Sequence, residues 1–289
     1  MSDLILGVVI GLITMFGLGM SIALSVIPIK DIGSTKTVFF RGIFTSTIIF
    51  ISLLFFLSET SLSIYHIALS VLISFIGYMA LISIFKGLKT GKVGVVYPIA
   101  NSYVILTVLF SVLFFGESLI AEQAFSIILM ILGIILISIN LRDIRDSNLL
   151  RLSSGIPFAL LTCFSWGFMY FILKIPVLVI GPILTALIIE LGIVLFSGIN
   201  MKISGISFKL PGKKTLGFIF LVGLFSSIGA IFFNVGIMFY NVSLIAPIAA
   251  TSPLVSAFYG RFVYKEKLTG VQWFAILLIL VGIISISYF

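Results

Sequence analysis

Charge is what this chain has least of. Only 9% of its 289 residues are Asp, Glu, Lys or Arg, whereas soluble domains carry about 25%. With 61% hydrophobic residues and a mean hydropathy of +1.36, no soluble fold could hide its apolar surface. Cysteine is confined to Cys163 in an apolar run, which excludes an intrachain disulfide and a thiolate metal cluster. Histidine is confined to His66. The sequence shows no metal-ligand pair, nucleophile triad or phosphate-binding loop, one of which an intramembrane enzyme would need. The expectation is therefore no enzyme, no metal and no cofactor. Met1-Ser2-Asp3 lacks the basic region of a signal peptide, and the apolar stretch behind it is too long for one, so a retained helix is expected there.

What the chain has in abundance is long apolar runs. A hydrocarbon core of about 30 Å takes about 20 helical residues to cross. Such stretches run over 4–27, 37–57, 64–86, 93–115, 119–140, 154–174, 182–200, 215–239, 242–263 and 269–288. They predict an all-α integral membrane protein of ten transmembrane helices, in contact with the lipid bilayer. The longest polar connectors, 141–154 and 200–214, are too short to hold a soluble domain, so any binding site lies among the helices.

The excess of 17 Lys and Arg over 9 acids is not the signature of a nucleic-acid partner, because its distribution follows the connections. Connections 1-2, 3-4, 5-6, 7-8 and 9-10 hold Lys30, Lys36, Lys86, Lys89, Lys92, Arg142, Arg145, Arg151, Lys202, Lys209, Lys213, Lys214, Arg261, Lys265 and Lys267. The opposite side has only Lys174, and Arg41 lies inside the second span. The positive-inside rule then makes the odd-numbered connections cytoplasmic, with both termini outside, in a multi-pass protein of the plasma membrane.

The chain repeats itself. A shift of 149 superposes residues 98–138 on 247–287 without a gap, matching Pro98 to Pro247, Glu117 to Glu266, Gln123 to Gln272 and Gly133 to Gly282. A shift of 148 matches Thr14, Gly19, Pro28 and Gly33 to Thr162, Gly167, Pro176 and Gly181. Two halves, 1–145 and 146–289, each hold five spans. Because five is odd, equivalent helices cross in opposite directions, which makes an inverted repeat. Carriers use that symmetry to exchange an outward-open for an inward-open cavity; its bland alternative is duplication without transport.

The segment GLKTGKVGVVYPIANSYVILTVLFSVLFFGESLIAEQAFSIILMILGIILIS resembles the ten-helix EamA-type branch of the drug/metabolite transporter superfamily. The features that carry the likeness are a small-residue turn before the fourth span, Pro98 early in it, Gly116-Glu117 at its end, and Gly133 late in the next span. The second half repeats them with Pro247, Glu266 and Gly282, although Lys265 replaces the glycine before the glutamate. In the sixth span CFSWGFMYFILK is similar to the family's Trp-Gly signature; the first half has Gly17-Leu18-Gly19 instead. The resemblance implies a secondary carrier of a small organic metabolite such as an amino acid, with export the expected direction. It also implies a central cavity built largely from spans 1, 3, 4, 6, 8 and 9. Four-helix members of the superfamily use a glutamate in their first span; none stands in 4–27 here, which counts against that mode of proton coupling. A facilitative channel or a receptor shares the helix count, but no filter loop is visible.

Within that frame Tyr78, Tyr97, Asn101, Trp166, Tyr170 and Asn234 are candidate substrate-binding residues, because they give the expected cavity spans aromatic and polar groups. Trp166 and Tyr170 are four apart and share a helix face. Tyr97 also fits an interfacial belt. Glu190, near the middle of the seventh span, is a candidate for charge coupling, with protons as the coupling ion; the bland reading is a structural acid, protonated or paired. Arg41 either binds an anionic group bidentately, pairs with Glu190, or snorkels to the basic side. The two occupy nearly equivalent places in their halves, which does not establish contact. Pro98 and Pro247 are candidate gating points, since each removes a backbone donor and can bend its helix.

Overall fold

The computed structural model describes residues 2–56, 62–90, 93–138, 155–263, 265 and 267–288. Lys92, Arg142, Arg145, Arg151, Tyr264, Glu266 and the expected boundary between residues 145 and 146 lie outside them. All regular elements among the described residues are helical, as lipid requires, because a helix satisfies every backbone group within its own segment. The first half contains α1 (Ser2–Ile32), α2 (Ser34–Phe55), α3 (Ile64–Thr90), α4 (Val93–Asn101), α5 (Tyr103–Phe115) and α6 (Ala121–Ser138). The second contains α7 (Ile156–Ile172), α8 (Lys174–Ile180), α9 (Pro182–Ile203), α10 (Lys213–Phe239), α11 (Val242–Ala250), α12 (Pro253–Val263) and α13 (Gly270–Ile286).

Three predicted spans are thus broken helices: α4–α5, α7–α8 and α11–α12. Among the described residues, nine spans reach 18 residues or more of apolar helix, and α13 supplies the tenth with 17. At 1.5 Å per residue α13 covers about 25 Å, a mismatch that slight thinning of the bilayer absorbs.

Apart from α1, which runs unbroken where α7–α8 is interrupted at Leu173, the two halves repeat in structure almost residue for residue. The helices α2 and α9 are each 22 residues long, α3 and α10 each 27, and α4 and α11 each 9. One residue separates α1 from α2 and α8 from α9, and both times it is a glycine at positive φ: Gly33 at φ 81° and Gly181 at φ 84°. Only glycine adopts that backbone without strain, so the chain reverses there in a single step.

Packing across the halves obeys the same symmetry. Thr107 Oγ1 donates to the Gly167 carbonyl (3.2 Å) and its counterpart Ser256 Oγ donates to the Gly19 carbonyl (3.0 Å). The last helices of the halves, α6 and α13, lie against one another through Gly133 and Gly282. A Cβ on Gly133 would sit 2.6 Å from Ile279 Cγ1, and one on Gly282 would sit 2.7 Å from Met130 Cγ. Small residues let the backbones approach this closely where lipid offers no hydrophobic driving force between helices. Buried hydroxyls turn back on their own helices, as Thr14 does to the Ile10 carbonyl (2.9 Å) and Thr185 to the Gly181 carbonyl (2.7 Å).

Candidate functional site

Helices α2 and α9, counterparts in the repeat, pack against each other at Gly42, where a Cβ would stand 2.6 Å from Val194 Cγ2. The same α9 lies close to α3, since a Cβ on Gly192 would collide with Ser74. This tight approach brings Arg41 of α2 to Glu190 of α9. Arg41 Nη2 donates to Glu190 Oε2 at 3.1 Å and Nη1 reaches Oε1 at 3.4 Å, a forked two-point pairing. Nη1 also donates to Ser226 Oγ of α10 at 3.0 Å, and Ser226 Oγ shares a 2.6 Å hydrogen bond with Ser21 Oγ of α1. The side chains are only 13% (Arg41) and 9% (Glu190) exposed. Arg41 therefore does not snorkel to the basic side; its charge is held inside the bundle by a network that joins α1, α2, α9 and α10.

Tyr170 of α7 lies within electrostatic reach of both Arg41 and Glu190. Its ring packs edge-on to Phe233 of α10 (centroids 4.9 Å apart) and stacks on Tyr103 of α5 (5.2 Å). Tyr103 in turn meets Trp166 edge-on at 5.6 Å. The expected shared face of Trp166 and Tyr170 is thus present, with Tyr103 packed against both. Asn101 ends α4, just before the break at Ser102. It is buried, and its Nδ2 has no hydrogen-bond partner. An unmet buried donor costs about 1–3 kcal/mol, so such a group marks a place for a ligand or a water. Its neighbour Ala100 packs in one cluster with Trp166.

The remaining candidates are more dispersed. The Asn234 Nδ2 donates to the Pro182 carbonyl at 3.0 Å, where α10 holds the start of α9. Tyr78 of α3 is buried and its hydroxyl accepts from Asn200 Nδ2, whose Oδ1 accepts from Ser204 Oγ at 2.9 Å. Tyr97 is half-buried one turn before Asn101. Pro98 lies four residues before the break in its span: its carbonyl accepts both the Ser102 amide (3.1 Å) and Ser102 Oγ (2.8 Å). Pro247 likewise stands four residues before the break at Thr251, but there the amide and Oγ1 of Thr251 donate to the Ile248 carbonyl, at 3.1 and 2.6 Å. Sequence reasoning missed Ser21, Ser226, Asn200 and Phe233. The only signal for Ser226 is a Ser-Ser pair inside an apolar span, and Ser21 gives none.

Comparison with known proteins agrees with this architecture. The model of the EamA-like transporter family matches the chain twice, over residues 5–139 and 153–288. A protein of Archaeoglobus fulgidus described as an uncharacterized transporter is 24% identical over 208 residues, covering 70% of this chain and 68% of that one. A solved crystal structure superposes with a TM-score of 0.79 over 96% of this chain and 95% of its own; at 14% identity it speaks for the fold alone. The chain belongs to the EamA-like transporter family, within the drug/metabolite transporter superfamily.

Proposed function

We propose that this transporter is a secondary carrier of the plasma membrane that exports a small organic metabolite such as an amino acid. Its two halves, 1–145 and 146–289, alternate access to a site between them. The observation that carries the reading is the buried Arg41–Glu190 pair. An intramembrane charge costs several kcal/mol unless paired, which makes such a pair a functional group by default. Trp166, Tyr170 and the unmet amide of Asn101 supply a flat apolar surface and a donor for the cargo, Tyr78 and Tyr97 extend the lining, and Asn234 holds the start of α9 in place behind it. Glu190 is the group that exchanges a coupling proton. The breaks that follow Pro98 and Pro247 are the bending points.

The test is binding first and flux second. Purified protein is screened by thermal shift against amino acids, nucleobases and small cations, and the hit is followed as saturable uptake into liposomes. Trp166→Ala and Asn101→Ala are expected to raise the half-saturating cargo concentration about tenfold each, the worth of one aromatic contact or one hydrogen bond. Wild-type affinity in both variants would remove the cargo from this place, and flux that never saturates would make the protein a channel.

The orientation is open to a separate measurement. With odd-numbered connections cytoplasmic, Ser204→Cys in a Cys163→Ala background resists an impermeant thiol reagent in intact cells, whereas Ser2→Cys reacts. The reverse labelling pattern would invert the topology.

A further inference from the structure

Glu117 takes no part in the cargo site, yet it is buried and fully engaged. Gly116, at φ 65°, ends α5 in a left-handed turn that swings Glu117 across to the second half. There Glu117 Oε1 accepts the Val242 amide at 3.0 Å and Oε2 accepts the Ser243 amide at 2.8 Å, capping the first turn of α11. Oε1 also accepts from Lys174 Nζ at 2.7 Å, and Lys174, the first residue of α8, lies over the Phe115 ring at 5.6 Å. A carboxylate on free helix amides gains from both the hydrogen bonds and the helix dipole. Burial pushes the Glu117 carboxyl up, but Lys174 and the two amides outweigh it and hold the group below the usual carboxylate range. A connection of the first half is thereby tied to two helices of the second, at the face where Lys174 is the one basic residue of the sequence.

The repeat carries the same parts to the other face. Glu266 corresponds to Glu117, and Val93-Gly94 at the start of α4 correspond to Val242-Ser243. The turn before the acid is kept as well, since Lys265 adopts φ 56° where Gly116 has φ 65°. One part is missing: the counterpart of Lys174 is Val26, which cannot pair with a carboxylate.

We propose that Glu117 is a latch that closes the lysine-poor face. Lys174, which has only Val26 at its repeat-equivalent place, biases the protein toward the state latched at Glu117. The idea rests on the alternating-access reading, because a latch on this face is useful only if the face opens in turn. It explains why a lone lysine stands where the membrane face is otherwise free of basic residues.

The test follows distances, not transport, and so needs no identified cargo. Spin labels on Ile120→Cys and Phe239→Cys, both exposed, span the latch at the lysine-poor face. Labels on Lys30→Cys and Phe262→Cys, also exposed, span the basic face. All are made in a Cys163→Ala background and measured in lipid nanodiscs. Glu117→Gln and Lys174→Val should each raise the ratio of long to short 120–239 distances about tenfold, the effect of one charge-assisted contact, with the 30–262 pair shortening in step. Lys174→Arg should behave as wild type. If Glu117→Gln impairs folding, Lys174→Val keeps the helix cap and carries the test. Unchanged 120–239 distances in both variants would overturn the latch and leave alternation to the liposome flux assay. Opening at the lysine-poor face with no response at the basic face would keep the latch and sink alternation.

Discussion

Glu190→Leu is expected to destabilise the protein by about 3–5 kcal/mol, because it strands the Arg41 guanidinium in the bundle with only Ser226 as acceptor. Removing both charges in Arg41→Leu/Glu190→Leu should return most of that stability. A buried pair replaced by apolar groups of similar size is often neutral, since the desolvation of two ions disappears with their attraction. Transport separates the two readings of the pair. If the pair meets cargo or a coupling proton, the double variant is stable and inactive, and Glu190→Gln keeps exchange but loses accumulation driven by a pH gradient. If the pair is only structural, the double variant transports like wild type. Unfolding in bicelles and flux in liposomes, measured on the same preparations, decide the matter. Wild-type stability in Glu190→Leu would mean that Arg41 escapes to the basic side.

The ten spans were legible because lipid leaves the backbone a single solution for a long apolar run. The three breaks were not, because hydropathy runs through them unaltered. Pro98 and Pro247 announced a disturbance, but the helix gives way four residues later, at Ser102 and Thr251, where a hydroxyl joins its own amide on a carbonyl of the preceding turn. The repeat was legible down to single residues whose reasons only the structure gives. Gln272 closes a capping box with Thr269 at the start of α13, and Gln123 Oε1 accepts the Ile120 amide at the matching place before α6. The Lys265 that departed from the family pattern keeps the left-handed turn of Gly116 at a cost of about 1 kcal/mol.

The candidate site was legible in its parts and not in its assembly. Arg41 and Glu190 declared themselves as charges in lipid, but their meeting depends on Gly42 letting α2 approach α9. Nothing in hydropathy encodes that pairing of helices. Asn234 reads the same in sequence whether its amide faces a cargo or, as here, the Pro182 carbonyl. Serines such as Ser21 are common in membrane helices and become notable only when a guanidinium is found one hydrogen bond away through Ser226.

Four glycines provide the second large effect, and they differ in a way that reports on the state of the protein. At the α6–α13 contact the two glycines are equivalent: a Cβ would lie 2.6 Å from Ile279 Cγ1 and 2.9 Å from the Ala275 carbonyl at Gly133, and 2.7 Å from Met130 Cγ and 2.8 Å from the Ser126 carbonyl at Gly282. Gly133→Ala and Gly282→Ala should therefore each cost about 1–3 kcal/mol, equally, as overpacking of a rigid contact does. The contacts of α1 with α12 and of α7 with α5 are equivalent in sequence but not in depth. A Cβ on Gly19 would meet Val255 Cβ at 2.5 Å and the Ser252 carbonyl at 2.6 Å, whereas on Gly167 it would meet Leu106 Cβ at 2.7 Å and the Tyr103 carbonyl at 3.1 Å. If the halves exchange conformations, Gly167 becomes the deeper contact in the other state. Gly19→Ala then penalises the present state more than its counterpart, and Gly167→Ala does the reverse. The same two pairs of spin labels should accordingly move in opposite directions in these variants and stay put in Gly133→Ala and Gly282→Ala. Equal loss of stability at Gly19 and Gly167 with no movement of either pair would show that the difference in depth is fixed packing, unconnected with alternation.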